Sequence, residues 1–214
     1  MTCIVGLVGE KGVLIAGDAQ GSTEWTKRED VSPKVFQLSD VLAVGYCGSG
    51  RFGQILQHHL MDSLDDPPLG MDEHRWIVRD FIPYIRQLME DHGHLHIYHN
   101  VEEFGPSAFM LAVRGRLFTV WSDFGVDEHI YPFDSIGSGG ETATGSMHGE
   151  LTAGKSKREA RLPIPDKDLV GIATRAITAA TEMTPFVGGK ISSVKTVRYT
   201  ADEKALAKRV TADR

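Results

Sequence analysis

The sequence predicts an α+β fold in which two sheets pack together with helices outside each. Runs of apolar strands followed by helix pairs occur twice along the chain, an order that layers sheet and helix in this way. The 214 residues are 41% hydrophobic, enough to bury the core of one domain of ordinary size. That domain is expected to span residues 2–214, with a short charged helical tail at 201–214. Periodicity alone also allows other α+β arrangements of the same elements.

The first strand, Thr2-Cys3-Ile4-Val5-Gly6-Leu7-Val8, begins directly behind Met1. A Glu10-Lys11-Gly12 turn leads to a second apolar strand, Val13 to Gly17, that ends in Asp18. Ser32 to Leu38 is a third strand, led in by Pro33 and Lys34, and Val41 to Cys47 a fourth. Gly48-Ser49-Gly50 ends it and releases a helix whose face is Phe52, Ile55, Leu56, His59 and Leu60. Asp65 to Gly70 is a break rich in proline. A helix from about Asp72 to His92 follows, and Pro83 within it implies a kink or an earlier boundary. In the second half, Ser107–Val113, Leu117–Ser122 and Val126–Phe133 read as strands. Gly137-Ser138-Gly139-Gly140 opens a helix, Asp168–Met183 forms another, and Val194–Tyr199 closes as a strand.

Charge and composition exclude several classes. A net charge of −6, without a clustered Lys/Arg run, leaves no footprint for nucleic acid. No apolar run approaches the roughly 20 residues needed to cross a bilayer. The terminus lacks a basic n-region, and Gly6, Gly9, Glu10 and Lys11 interrupt its apolar stretch, so a cytoplasmic protein is expected. Cys3 and Cys47 are too few for a disulfide framework or a structural zinc site, and both fall in core strands.

The chemistry starts at Thr2. With Met1 removed, this threonine carries a free α-amine, so nucleophile and base sit in one residue. An ordinary α-amine has a pKa of about 7.7–8.0, leaving a useful neutral fraction near pH 7. The plainer reading is a small residue that suits methionine removal. Asp18 follows Thr2 by sixteen residues, and Lys34 follows Asp18 by sixteen. A lysine beside the threonine would stabilise its alkoxide and favour a neutral amine, with the aspartate holding that lysine charged and oriented. Taken singly, Asp18 suits a turn and Lys34 a solvated position.

Together with Val13–Asp18, Lys34-Val35, Ala43-Val44-Gly45 and Ile136–Gly140, the run Thr2–Gly6 resembles the proteasome β subunit and, more closely, the HslV-type peptidase. Both are N-terminal nucleophile hydrolases of the threonine protease kind. The resemblance is strongest over residues 2–53 and recurs at 107–147. It implies a four-layer αββα sandwich, with Thr2 as nucleophile and Asp18 and Lys34 as the charged pair beneath it. It also implies Gly45 N–H as oxyanion donor, Ser138 beside the amine, and Ala43 at the base of the substrate side-chain pocket. Glycine at 45 would let substrate approach closely. The resemblance further implies homo-oligomeric rings, stacked in pairs, that enclose the sites and admit peptides or unfolded protein. No G-x-x-x-x-G-K-[ST] occurs, so an ATPase unfoldase would be a separate partner. Neither cofactor nor metal is implied. Where proteasome β subunits carry an aspartate and a serine before the late Gly-Gly, this chain has Thr184 and Val187 before Gly188-Gly189.

Two other readings share the fold: an amidase acting on a small acyl amide, and a ring subunit that does no chemistry. The intact Thr2, Asp18 and Lys34 argue against the second. Gly48-Ser49-Gly50-Arg51-Phe52-Gly53 satisfies G-x-G-x-x-G, but the second parallel strand of a dinucleotide unit does not follow. Its glycines, Gly48 first, are read as keeping the turn open beside substrate. His92, His94, His96 and His99 alternate as metal ligands could, yet no fixed carboxylate or cysteine accompanies them, and a solvated or inter-subunit loop is expected.

Overall fold

The computed structural model describes residues 2–22, 26–29, 32–60, 66–68 and 70–199. The strands are β1 (Ile4–Val8), β2 (Val13–Gly17), β3 (Gln20–Ser22), β4 (Lys27–Glu29), β5 (Val35–Ser39) and β6 (Leu42–Cys47), then β7 (His96–Tyr98) and β8 (Val101–Glu103). After these come β9 (Ala108–Val113), β10 (Arg116–Val120), β11 (Val126–Asp127), β12 (Phe133–Ile136) and β13 (Ser192–Lys195). The helices are α1 (Gly50–Leu60), α2 (Glu73–Trp76), α3 (Ile82–Asp91), α4 (Gly140–Thr152) and α5 (Leu169–Met183).

One sheet has the order β12-β1-β2-β13 and the other β11-β10-β9-β6-β5, all pairs antiparallel. Period-two alternation sends each strand's side chains to two different layers. From β1, Ile4 enters the layer between the sheets, whereas Val5 and Leu7 pack outward with α4 and α5. From β9, Met110 and Ala112 face the inter-sheet layer, and Phe109, Leu111 and Val113 pack outward with α1 and α3. Three buried clusters therefore fill three interfaces, which is the four-layer αββα sandwich. Both sheets are covered on both faces, so β1 and β9 read as continuous apolar runs.

Several boundaries differ from the sequence reading. The 72–92 helix is continuous but changes pitch: α2 passes through a π-helical turn at Ile77–Phe81 before α3. Pro83, in the first turn of α3, has no N–H to give, and the Ile82 N–H reaches back to Ile77 O instead. The stretch read as one strand over 126–133 is the short β11 followed by an irregular segment, with β12 starting at Phe133. The histidine loop holds a hairpin, β7–β8, turned by His99 and Asn100, both at positive φ. The 201–214 tail lies outside the described residues.

Candidate active site

Asp18 is fully buried, and its carboxylate is saturated by four donors. Oδ1 accepts from Cys3 N–H at 2.9 Å and from the Lys34 ammonium at 3.0 Å. Oδ2 accepts from Gln20 N–H at 3.2 Å and Gly188 N–H at 3.1 Å. A buried carboxylate is tolerated only with such compensation. Lys34, 6% exposed, also donates to Gln20 O at 2.7 Å. Lys34 and the backbone just beyond Thr2 thus meet on one carboxylate oxygen.

Thr2 is 3% exposed. Its N–H donates to Ser138 Oγ at 3.2 Å, and its carbonyl accepts from Gly139 N–H at 3.2 Å. Gly137 makes this approach possible: at φ +93°, a Cβ there would stand 2.3 Å from Thr2 O and 3.3 Å from Cys47 Cβ. The β12–α4 turn therefore clasps the Thr2 backbone between Ser138 and Gly139, with the end of β6 alongside.

The structure bonds Thr2 to Ser138 and Lys34 to Asp18, and the two pairs adjoin through Cys3, whose N–H Asp18 accepts. The remaining sequence candidates surround these pairs in other ways. Gly45 lies on β6 opposite Val35 and Met110. A Cβ at Gly45 would stand 2.7 Å from Ile15, 2.8 Å from Ile4 and 3.2 Å from Val35, so close sheet packing already demands glycine here, whatever approaches from outside. Ala43 is 1% exposed in that same layer. Gly48 takes φ +107° against Ser107, whose Oγ accepts from Ser49 N–H. Gly53 packs where a Cβ would meet the Tyr46 ring at 1.9 Å, so Gly48 has a turn role and Gly53 a packing role, while Gly50 has open space around it.

Gln20 and Gly188 were missed from sequence. Besides its N–H to Asp18, Gly188 accepts at its carbonyl from Ala19 and Gln20 N–H, and Gln20 Nε2 donates to Pro185 O. The Gly188-Gly189 doublet was the available signal. Thr184 donates to Ala180 O, back onto its own helix, and Val187 is buried against α5.

Burial pushes the Cys3 thiol up to about 12, with the Asp18 charge adding to it, and burial pushes Cys47 up to about 11. Both thiols stay protonated at neutral pH and cannot compete as nucleophiles. His94 stacks on Phe52 with its Nε2 buried and unpartnered, and burial lowers its pKa. Among the described residues no group of three His, Cys, Asp or Glu side chains could hold a metal. Nor is any described helix long and apolar enough to cross a membrane.

No protein-family profile matches the chain, and no curated protein sequence does. Solved structures do match. BPH of Thiobacillus denitrificans superposes with a TM-score of 0.70 at 21% identity, covering 92% of this chain and 98% of that one. The same protein has also been solved in complex with epoxomicin, at a TM-score of 0.69, 21% identity and coverage of 92% and 100%. HslV from Trypanosoma brucei gives 0.60 at 14% identity, covering 92% and 99%. An Anbu mutant (Gly-1) from Hyphomicrobium sp. strain MC1 gives 0.60 at 14%, covering 100% and 94%. The fold is that of the HslV-like N-terminal nucleophile hydrolases.

Proposed function

We propose that this protein is a threonine-type endopeptidase. The observation that carries the reading is the Asp18 carboxylate, which holds the Lys34 ammonium and the Cys3 N–H on one oxygen directly behind Thr2. A fold needs no buried ion pair at that point, whereas a threonine nucleophile needs a cation near its alkoxide. Removal of Met1 frees the Thr2 amine, which Ser138 Oγ already contacts at this nitrogen. That amine takes the hydroxyl proton as Oγ attacks the peptide carbonyl, and it returns the proton to the leaving amine. The Gly45 N–H, expected to receive the oxyanion, is turned into the β6–β9 ladder and does not serve; water then releases the acyl group from Thr2. Gly48 borders the substrate path, whereas Ala43, expected at the base of the pocket for the side chain that precedes the cut, is enclosed in the layer between the sheets. The working form is a homo-oligomeric ring, stacked in pairs, fed with peptides or unfolded chains by a separate ATPase.

The test is intact mass before and after incubation with a peptide epoxyketone, which closes a ring with both the hydroxyl and the amine of an N-terminal threonine. Epoxomicin, bound by the BPH neighbour, is the probe. Loss of Met1 and gain of one adduct, absent in Thr2→Ala, is expected. A chain that has lost Met1 yet takes no adduct would overturn the threonine mechanism.

A further inference from the structure

The β3–β4 hairpin grips a distant segment of the chain. Gln20 and Glu29 stand directly opposite each other across its two strands, so their side chains leave the same face. The segment from Pro185 to Lys190 lies against that face. Gln20 Nε2 donates to Pro185 O at 3.1 Å, and Lys190 N–H donates to Glu29 Oε1 at 2.7 Å. The two glycines between these bonds fit the two side chains. A Cβ on Gly188 would stand 2.6 Å from Gln20 Oε1, and one on Gly189 would stand 3.2 Å from Glu29 Cγ and Cδ. Gly189 also takes φ +74°, a conformation that disfavours an L side chain whatever the space.

This junction reaches the site through the backbone. The Gly188 carbonyl accepts from Ala19 N–H at 3.2 Å and Gln20 N–H at 2.9 Å. Both donors on Asp18 Oδ2, Gln20 N–H and Gly188 N–H, belong to it, as does the Gln20 carbonyl that accepts from Lys34. The register of the 185–190 segment on the hairpin therefore decides where two of the four Asp18 donors stand. Glu29 itself is exposed, and the N–H it accepts lies two residues beyond Gly188.

We propose that Glu29 is a positioning residue for the Thr2 chemistry. Its carboxylate holds Gly188-Gly189 in register on the hairpin, and the Gly188 N–H in turn fixes the Asp18 carboxylate that orients Lys34. A carboxylate accepting a backbone N–H makes a charge-assisted bond, stronger than a neutral one. Removing it opens Lys190 N–H to water and empties no part of the core, so the fold persists while the segment loosens. The catalytic half of this assignment rests on the threonine reading; the register half does not.

The experiment uses the full chain and four variants. Glu29→Ala and Glu29→Lys lack the acceptor, whereas Glu29→Gln keeps an amide oxygen that accepts the same N–H. Arg28→Ala, whose side chain leaves the other face of β4, is the control. Hydrogen exchange at the Gly188 amide reports the register, and the kinetics of epoxomicin adduct formation report the site. Glu29→Ala and Glu29→Lys should both speed Gly188 exchange. They should also lower the maximal adduct rate about two- to tenfold, as for one lost hydrogen bond, at an unchanged half-saturating concentration. Glu29→Gln should restore both readouts, and Arg28→Ala should alter neither. Wild-type exchange at Gly188 in Glu29→Ala overturns the proposal, as does faster exchange with an unchanged adduct rate. A raised half-saturating concentration at an unchanged maximal rate overturns it too, because Glu29 would then act in peptide binding. If the wild type forms no adduct, the threonine reading falls and the catalytic half with it, while exchange at Gly188 still decides the register half.

Discussion

At the scale of single residues, Asp18 governs the site. Three of its four donors are backbone N–H groups, so Asp18→Asn replaces an acceptor with an amide that cannot serve them all and strands the Lys34 charge. Breaking a buried pair in this way costs about 3–5 kcal/mol. Urea denaturation should show a loss of that order, together with loss of the epoxyketone adduct. Lys34→Met leaves the three N–H donors in place, so its stability loss should be smaller, while adduct formation still fails. The two buried cysteines make stability depend on pH on the alkaline side. Their folded pKa values lie above the ordinary thiol value, so between about pH 9 and 12 the unfolded chain gives up protons that the folded chain keeps. The stability they contribute is present below pH 9 and is lost as pH rises, at roughly 1.4 kcal/mol per pH unit for each thiol. Cys47→Ala should flatten that slope, read as urea midpoint against pH.

Among the elements, the β12–α4 turn has the least tolerance. Gly137→Ala would force an L side chain into φ +93° and drive its Cβ onto the Thr2 carbonyl, which cannot swing aside. Expected are a lower melting temperature and no adduct, whereas Gly145→Ala on α4, with open space around it, should leave both unchanged or improve stability slightly. The elements themselves were largely legible, because β1, β2, β6 and β9 are unbroken apolar runs and the α5 face repeats at helical spacing. The β3–β4 hairpin was not, since its three-residue strands carry no apolar alternation. Nor was the π-helical turn before Pro83, where the sequence shows only that a hydrogen bond must be lost. Thr2, Asp18 and Lys34 were readable from residue type and order. The parts of Gln20 and Gly188 were not, because backbone groups supply their bonds to Asp18 and composition says nothing about where those point.

Over the whole molecule, the spacing between the sheets depends on residues without side chains. Across the layer, Cβ atoms at Gly6, Gly17 and Gly45 would stand 2.6, 3.2 and 2.7 Å from Leu117, Val35 and Ile15. Gly45→Ala crowds side chains of both sheets and should cost roughly 1–3 kcal/mol, read from the urea midpoint. Gly17→Ala, whose nearest neighbour is the end of the Ile4 side chain, should cost less.

The four donors on Asp18 come from positions 3, 20, 34 and 188. Likewise β1 is flanked on one side by β12, more than a hundred residues downstream. During synthesis, therefore, Thr2 has emerged from the ribosome long before the turn that clasps it and the glycine that completes its carboxylate node exist. Contacts so distant in sequence form late. The Thr2 segment stays unclasped throughout that interval, and the proposed centre is assembled only once the segment carrying Gly188 has folded onto Asp18.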